Sequence, residues 1–338
     1  IGYTIEVGTD TYRASMMDGS VFEAYTLAGV DNRLETLRFA VSKKIDDRTH
    51  GWVNVKEYGA VGDGVALEYD AFRDAFAGGN ETVYVPEGEY RINHHIQLEA
   101  NTVVEMHPKA VLINESDIEY VFLNGVYNNA SFSTGYNGPG NITIRGGVFD
   151  GRVKVGLYRN SCFIGISHAS NVLIENVTFQ NGYASHLLEI NSSRDVTVRN
   201  CTFKNLNDAN LQNREFINID HSFGSGYPAH GAYDGTPCLN VTVENCSFSN
   251  GSDGVGTHSD PGGNKHVNIK VLNNRFSNLS AHAITPRYWR DSLISGNTVD
   301  GSLTAVRISP SGETITVSDN VFANVGNFEN SAIYVNNA

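Results

Sequence analysis

The chain has 338 residues, 40% of them hydrophobic and 18% charged, with a formal net charge of −13. This composition excludes a disordered polymer, and the acidic balance argues against a nucleic-acid groove, which needs clustered Lys and Arg. No apolar run approaches the ~18 residues of a spanning helix, so no membrane insertion is expected, and Ile1 to Glu6 lack a basic-then-apolar leader pattern. Residues 1–50 are read as a neck, oligomerisation or attachment segment. Within them Val30, Leu34, Leu37 and Val41 recur at helical spacing and are followed by Lys44 and Ile45. About two heptads of this kind suit a short helical neck joining copies of the chain, or equally a single amphipathic helix over the first coil.

From residue 51 the pattern changes to short strands. Val53 to Gly64 and Val83 to Ile92 carry β-forming residues punctuated by glycine, and Gly62 and Gly64 permit positive φ in a turn. Asp70 to Phe76 reads as a short capping helix. Beyond them seven segments fit one template, as in Asn171-Val-Leu-Ile-Glu-Asn-Val-Thr-Phe179 and Asp195-Val-Thr-Val-Arg-Asn-Cys-Thr-Phe203. The template ends at positions 149, 179, 203, 248, 276, 299 and 322, giving steps of 30, 24, 45, 28, 23 and 23 residues. Period-two alternation within a repeat of this length, with Asn at the bend, is what a coil of a parallel β-helix requires. A second short strand follows each template, as in Leu187 to Asn191, Phe216 to Asp220, Gly254 to His258, Ala283 to Arg287 and Ala305 to Ser309. Cys201 and Cys246 share a template position and are expected to stack as small buried residues. The four cysteines form neither a disulfide framework nor a metal spacing. The chain starts without Met and stops at Ala338 in mid-coil, so it is expected to be part of a longer or processed one.

The segments Val53 to Gly64 and Val83 to Ile92 resemble the opening of the pectate-lyase superfamily. That resemblance implies a right-handed parallel β-helix over residues 51–338, an all-β fold shared by polysaccharide hydrolases, lyases, epimerases and phage tail spikes. A narrower resemblance is to the polygalacturonases of glycoside hydrolase family 28, whose N-T-D, D-D, G-H-G and R-I-K motifs fall on successive coils. The corresponding positions here read Asn213-Arg214-Glu215, Ser252-Asp253, Ala281-His282-Ala283 and Arg307-Ile308-Ser309. Ser252 stands where that family has its general acid, and Ser309 replaces its lysine.

Stacked coils set equivalent residues about 4.8 Å apart, so columns of the alignment predict neighbours in space. The position before the second strand gives His186, Glu215, Asp253 and His282; its third residue gives Glu189, Asn218, Gly256, Thr285 and Arg307; its fifth gives Asn191, Asp220, His258 and Arg287. Cleavage of a glycosidic bond needs one carboxyl to protonate the leaving oxygen and another to activate water or attack. Glu215, Asp253 and Asp220 are the candidates for that pair. The proton donor is assigned either to Asp234, in the insertion that lengthens one step, or to His258, which alternatively holds the acid's geometry. His186, Glu189, Asn191, Asn218, His282, Arg287, Trp289 and Arg307 are the expected substrate contacts, by polar recognition or by stacking. His258, Asp260 and His266 make no ligand signature, so no cofactor is expected, with calcium on the acidic groove left open.

These readings converge on a depolymerase that hydrolyses a bacterial surface glycan, such as a capsule, exopolysaccharide or wall teichoic acid. The tail-spike analogy implies a homotrimer on a virion tail or in an extracellular setting. A lyase acting on a uronate glycan and a non-catalytic glycan-binding spike are the alternatives.

Overall fold

The computed structural model describes residues 51–114, 120–152, 162–183, 185–207, 214–223, 231–260, 263–309, 311–326 and 331–336, and the backbone of 3–7, 11–16 and 21–25. The chain divides into two compact units, Ile1–Trp52 and Val53–Ala338. In the first, Tyr3–Val7, Thr11–Met16 and Val21–Tyr25 form an antiparallel sheet with Thr11–Met16 at its centre. The reading of this region as a helical neck missed that sheet. Its signal was present in the Asp18-Gly19 dipeptide between two β-rich runs. The helical spacing of Val30 to Ile45 lies outside the described residues.

The second unit is a parallel β-helix. Among the described residues it has three parallel sheets, of 10, 9 and 10 strands, and beyond the first pair of each ten-stranded sheet the neighbours in space are three strands apart in sequence. After the opening turn, each coil therefore contributes one strand to every sheet. The nine-residue template is two strands joined by a sharp bend: Ser170–Glu175 and Thr178–Tyr183 flank Asn176, and Arg194–Arg199 and Thr202–Asn207 flank Asn200. Asn176, Asn200, Asn245 and Asn273 have φ between 53° and 58°, a left-handed conformation that Asn tolerates better than most residues.

Register is fixed by what each coil buries. Val172 pairs with Val196, and Val196 with Val241, all inside. Phe149, Phe179, Phe203, Phe248 and Phe276 form one internal stack, with successive ring centroids 5.3, 4.7, 4.9 and 4.7 Å apart. A one-residue slip would turn this whole column outward. At the coil corners, asparagine side chains bond from coil to coil: Asn171 Nδ2 donates to Asn141 Oδ1 at 2.9 Å, and Asn268 Nδ2 to Asn240 Oδ1 at 2.8 Å. Cys201 and Cys246 are both buried, and the Cys201 N–H points at Cys246 Sγ at 3.4 Å. The expected helix is Tyr69–Phe76, which buries Ala71, Phe72, Ala75 and Phe76, with Phe76 set against Phe122 at 5.4 Å between ring centroids. Gly62 and Gly64 both have φ of 72°, and a Cβ at Gly62 would sit 2.9 Å from the Tyr90 ring.

Candidate active site

The nine-stranded sheet carries the chemistry. Its strands Leu188–Asn191, Glu215–Asp220, Asp253–Gly256, His282–Thr285 and Thr304–Ile308 lie side by side. Glu215 pairs with Asp253, Glu189 with Asn218, Asn191 with Asp220, and Gly256 with both Asn218 and Thr285. The columns read from sequence are therefore columns in space. Glu215, Asp253, His258, His282, Thr285, Arg287, Arg307, Ser309 and Asn336 line a single cavity of about 190 Å³. Thr285, Ser309 and Asn336 were not among the expected site residues. Ser309 and Asn336 simply extend the fifth-position column (Asn191, Asp220, His258, Arg287) by two more coils. Gly256 makes the room: a Cβ there would fall 1.7 Å from Thr285 Oγ1.

Hydrogen bonds fix the two carboxyls differently. Glu215 Oε2 lies 3.3 Å from Nδ1 of both His186 and His258. Asp253 accepts from Ser252 Oγ at 2.9 Å and from the His282 backbone N–H at 3.0 Å, while His282 Nε2 meets Arg307 Nη1 at 3.3 Å. Burial, then the Glu215 charge, pushes the Asp253 carboxyl up to about 7. Burial works against charge on Glu215 too, but the hydrogen bond and charge of His258 outweigh it and hold Glu215 below its ordinary value. Side by side, one carboxyl is set to hold a proton near neutrality and the other to lack one.

The remaining expected residues separate by place. His186, Glu189, Asn191, Asn218 and Asp220 are buried and do not line the cavity. Asn191 Nδ2 donates to Glu189 Oε2 at 2.7 Å and Asn218 Nδ2 to Glu189 Oε1 at 3.4 Å, so these side chains brace one another. Trp289 is fully buried in the core, its Nε1 donating to Thr257 Oγ1 at 2.8 Å, which leaves no face for stacking. Asp234 is spent on its loop, accepting from the N–H of Gly135 at 2.8 Å and of Thr236 at 3.0 Å, outside the cavity. Neither Trp289 nor Asp234 is brought to the site. Sequence could not separate a buried turn aromatic from a platform, or an Asp-Gly turn from an acid. Asn213 lies outside the described residues.

His186, Glu215 and His258 offer three possible metal ligands within 4.8 Å of one another. His186 Nδ1, however, lies 2.9 Å from the Glu215 backbone carbonyl and so carries a proton there, and the two imidazoles stack face to face at 5.1 Å. The trio is a hydrogen-bonded network and not a preformed cation site.

These groups give stability a calculable pH dependence. Burial pushes His186, His266 and His282 down to about 4 from 6.5, so the stability they contribute is complete above 6.5 and lost as pH falls to 4. Asp253 and Glu189, both pushed up to about 7 chiefly by burial, act oppositely and cost stability as pH rises from about 4 to 7. His258 resists burial through Glu215, Asp220 and Glu189 and is pushed up to about 9, so its contribution disappears as pH rises from 6.5 through 9. Three histidines outweigh two acids below 6.5, and only losses remain above it. The melting temperature is therefore expected to peak near about pH 6.5 in thermal scans from pH 4.5 to 9.5. A monotonic rise to the alkaline end would contradict these assignments.

Residues 52–275 match the family model for rhamnogalacturonase A/epimerase, pectate lyase-like proteins. The plasmin and fibronectin-binding protein A of Streptococcus pneumoniae is 29% identical over 294 residues, covering 77% of this chain and 40% of that protein. The preneck appendage protein of Bacillus phage PZA is 31% identical over 238 residues, 68% of this chain and 23% of that protein. The chain thus spans less than half the length of both curated relatives. Among solved structures, a surface adhesin of S. pneumoniae superposes with a TM-score of 0.71 at 25% identity, covering 83% of this chain and 81% of its own. A family 28 exopolygalacturonase of Yersinia enterocolitica superposes at 0.51 and 15% identity over 93% of this chain and 70% of its own, a likeness of fold alone.

Proposed function

Because the chain belongs to the rhamnogalacturonase A/epimerase, pectate lyase-like family, we propose that it hydrolyses glycosidic bonds in a bacterial surface glycan. One observation carries this reading: Glu215 and Asp253 are register partners in one cavity, with surroundings that push Asp253 up to about 7 and hold Glu215 below its ordinary value. Asp253 gives its proton to the leaving oxygen as the anomeric C–O bond breaks. Glu215 takes a proton from the attacking water or itself attacks the anomeric carbon. Arg287 and Arg307 on the cavity wall suit an acidic substituent on the sugar. Ser252 then orients the acid by its hydrogen bond, where it cannot replace it. The similarity to a phage preneck appendage protein supports a virion setting and a bacterial glycan as partner. A trimer joined through residues 1–50 belongs to the same reading.

The second reading, adhesion without cleavage, is favoured by the similarity to the pneumococcal binding protein. Release of reducing ends from a panel of capsules, exopolysaccharides and wall teichoic acids separates the two. Hydrolysis predicts saturated products from at least one glycan. Binding without release, unchanged by substitution of either carboxyl, would decide for adhesion, and an unsaturated, ultraviolet-absorbing product would decide for a lyase.

A further inference from the structure

Two buried carboxyls in one cavity do not both keep their charge, and a bare pair does not determine which member holds the proton. The surroundings here are unequal. Asp253 is approached at hydrogen-bond distance by neutral donors, the Ser252 hydroxyl and the His282 backbone N–H. Glu215 has His258 Nδ1 at 3.3 Å. On its other edge His258 faces a second carboxylate, with Nε2 4.0 Å from Asp220 Oδ2. Asp220 is itself held by the backbone N–H of His221 at 3.0 Å and of Ser259 at 3.2 Å, the latter the residue next to His258. The imidazole also lies flat on His186, at an interplanar angle of 19°. The titratable groups facing it are therefore Glu215, Asp220 and Glu189, with neutral His186 beneath.

We propose that His258, clamped between Glu215 and Asp220, is the positioning residue that makes Glu215 the ionised member of the pair and leaves the proton on Asp253. This rests on the acid–base reading above and adds its cause. An imidazolium at 3.3 Å stabilises charge on the nearer carboxyl far more than on its neighbour, and Asp220 keeps that imidazolium charged and in place. Its pKa, pushed up to about 9, agrees with a ring that stays protonated across the neutral range.

The test follows the Glu215 carboxyl directly, by carbon-13 NMR titration of glutamate-labelled protein with the resonance assigned through Glu215→Gln. In His258→Gln the Glu215 midpoint is expected to rise by about one unit or more. The acid limb of the kcat/KM profile should move to higher pH with it, so that on the acid side of that limb kcat/KM falls by about 10-fold for each pH unit the limb moves. Asp220→Asn keeps the shape of the side chain and should move midpoint and limb the same way by less; it carries the test alone if His258→Gln does not fold. An unmoved Glu215 midpoint in a folded variant would overturn the role of His258. The titration needs no substrate, so a wild-type protein that cleaves nothing would count against the proposed activity, while the carboxyl midpoint would still decide for or against His258.

Discussion

Glu215→Gln is expected to lower kcat on the cleaved glycan by about 10³-fold or more, with KM within a few-fold of the parent. Glutamine occupies the same space and still accepts a hydrogen bond from His258, so the cavity keeps its shape. What is lost is the negative charge that takes the proton of water or forms the bond to the anomeric carbon. Because this charge acts as the reaction proceeds and contributes little to ground-state binding, the loss should fall on kcat. Initial rates of reducing-end release, alongside circular dichroism to establish folding, check the expectation. A folded Glu215→Gln protein with parental kcat would remove the base from the mechanism.

Asp253→Asn is expected to cost about 10²- to 10⁴-fold on the natural glycan but far less on an aryl glycoside whose phenolate leaves without a proton. That asymmetry is the signature of a lost general acid, and a merely structural role would slow both substrates alike. The pH dependence follows in sign. With Asp253 pushed up to about 7, the parental rate should decline above neutrality as the donor ionises, and decline in acid as Glu215 takes up a proton. In Asp253→Asn the alkaline decline should disappear while the acid limb remains. Rate profiles from pH 4 to 9 on both substrates read the two effects together. Equal losses on the two substrates would instead assign Asp253 to positioning.

The β-helix was legible because it is written in the sequence as repetition. Asn, Gly or Asp at the left-handed bend, Phe at the same place on successive coils and alternation between them leave no competing register. The cavity follows from the same columns, which set Glu215, Asp253, His258 and His282 side by side. What the columns do not carry is depth. Glu189, Asn191 and Asn218 stand at the same strand positions as Thr285, Arg287 and Arg307, yet only the last three line the cavity. The local pattern does not say which coils border an opening. Asp234 and Trp289 failed for the related reason that a turn residue's partners lie far away in sequence. Asp234 binds Gly135, 99 residues back, and Trp289 binds Thr257, 32 residues back. The antiparallel sheet of the first unit was missed because a helical spacing further along drew the whole segment into one reading.

The most direct measurement is the structure of folded Glu215→Gln protein with an oligosaccharide of its glycan bound. The account predicts a glycosidic oxygen within about 3 Å of the Asp253 carboxyl, with the anomeric carbon turned toward residue 215 and an acidic group of the sugar near Arg287 or Arg307. A chain bound along another face, leaving this cavity empty, would contradict it.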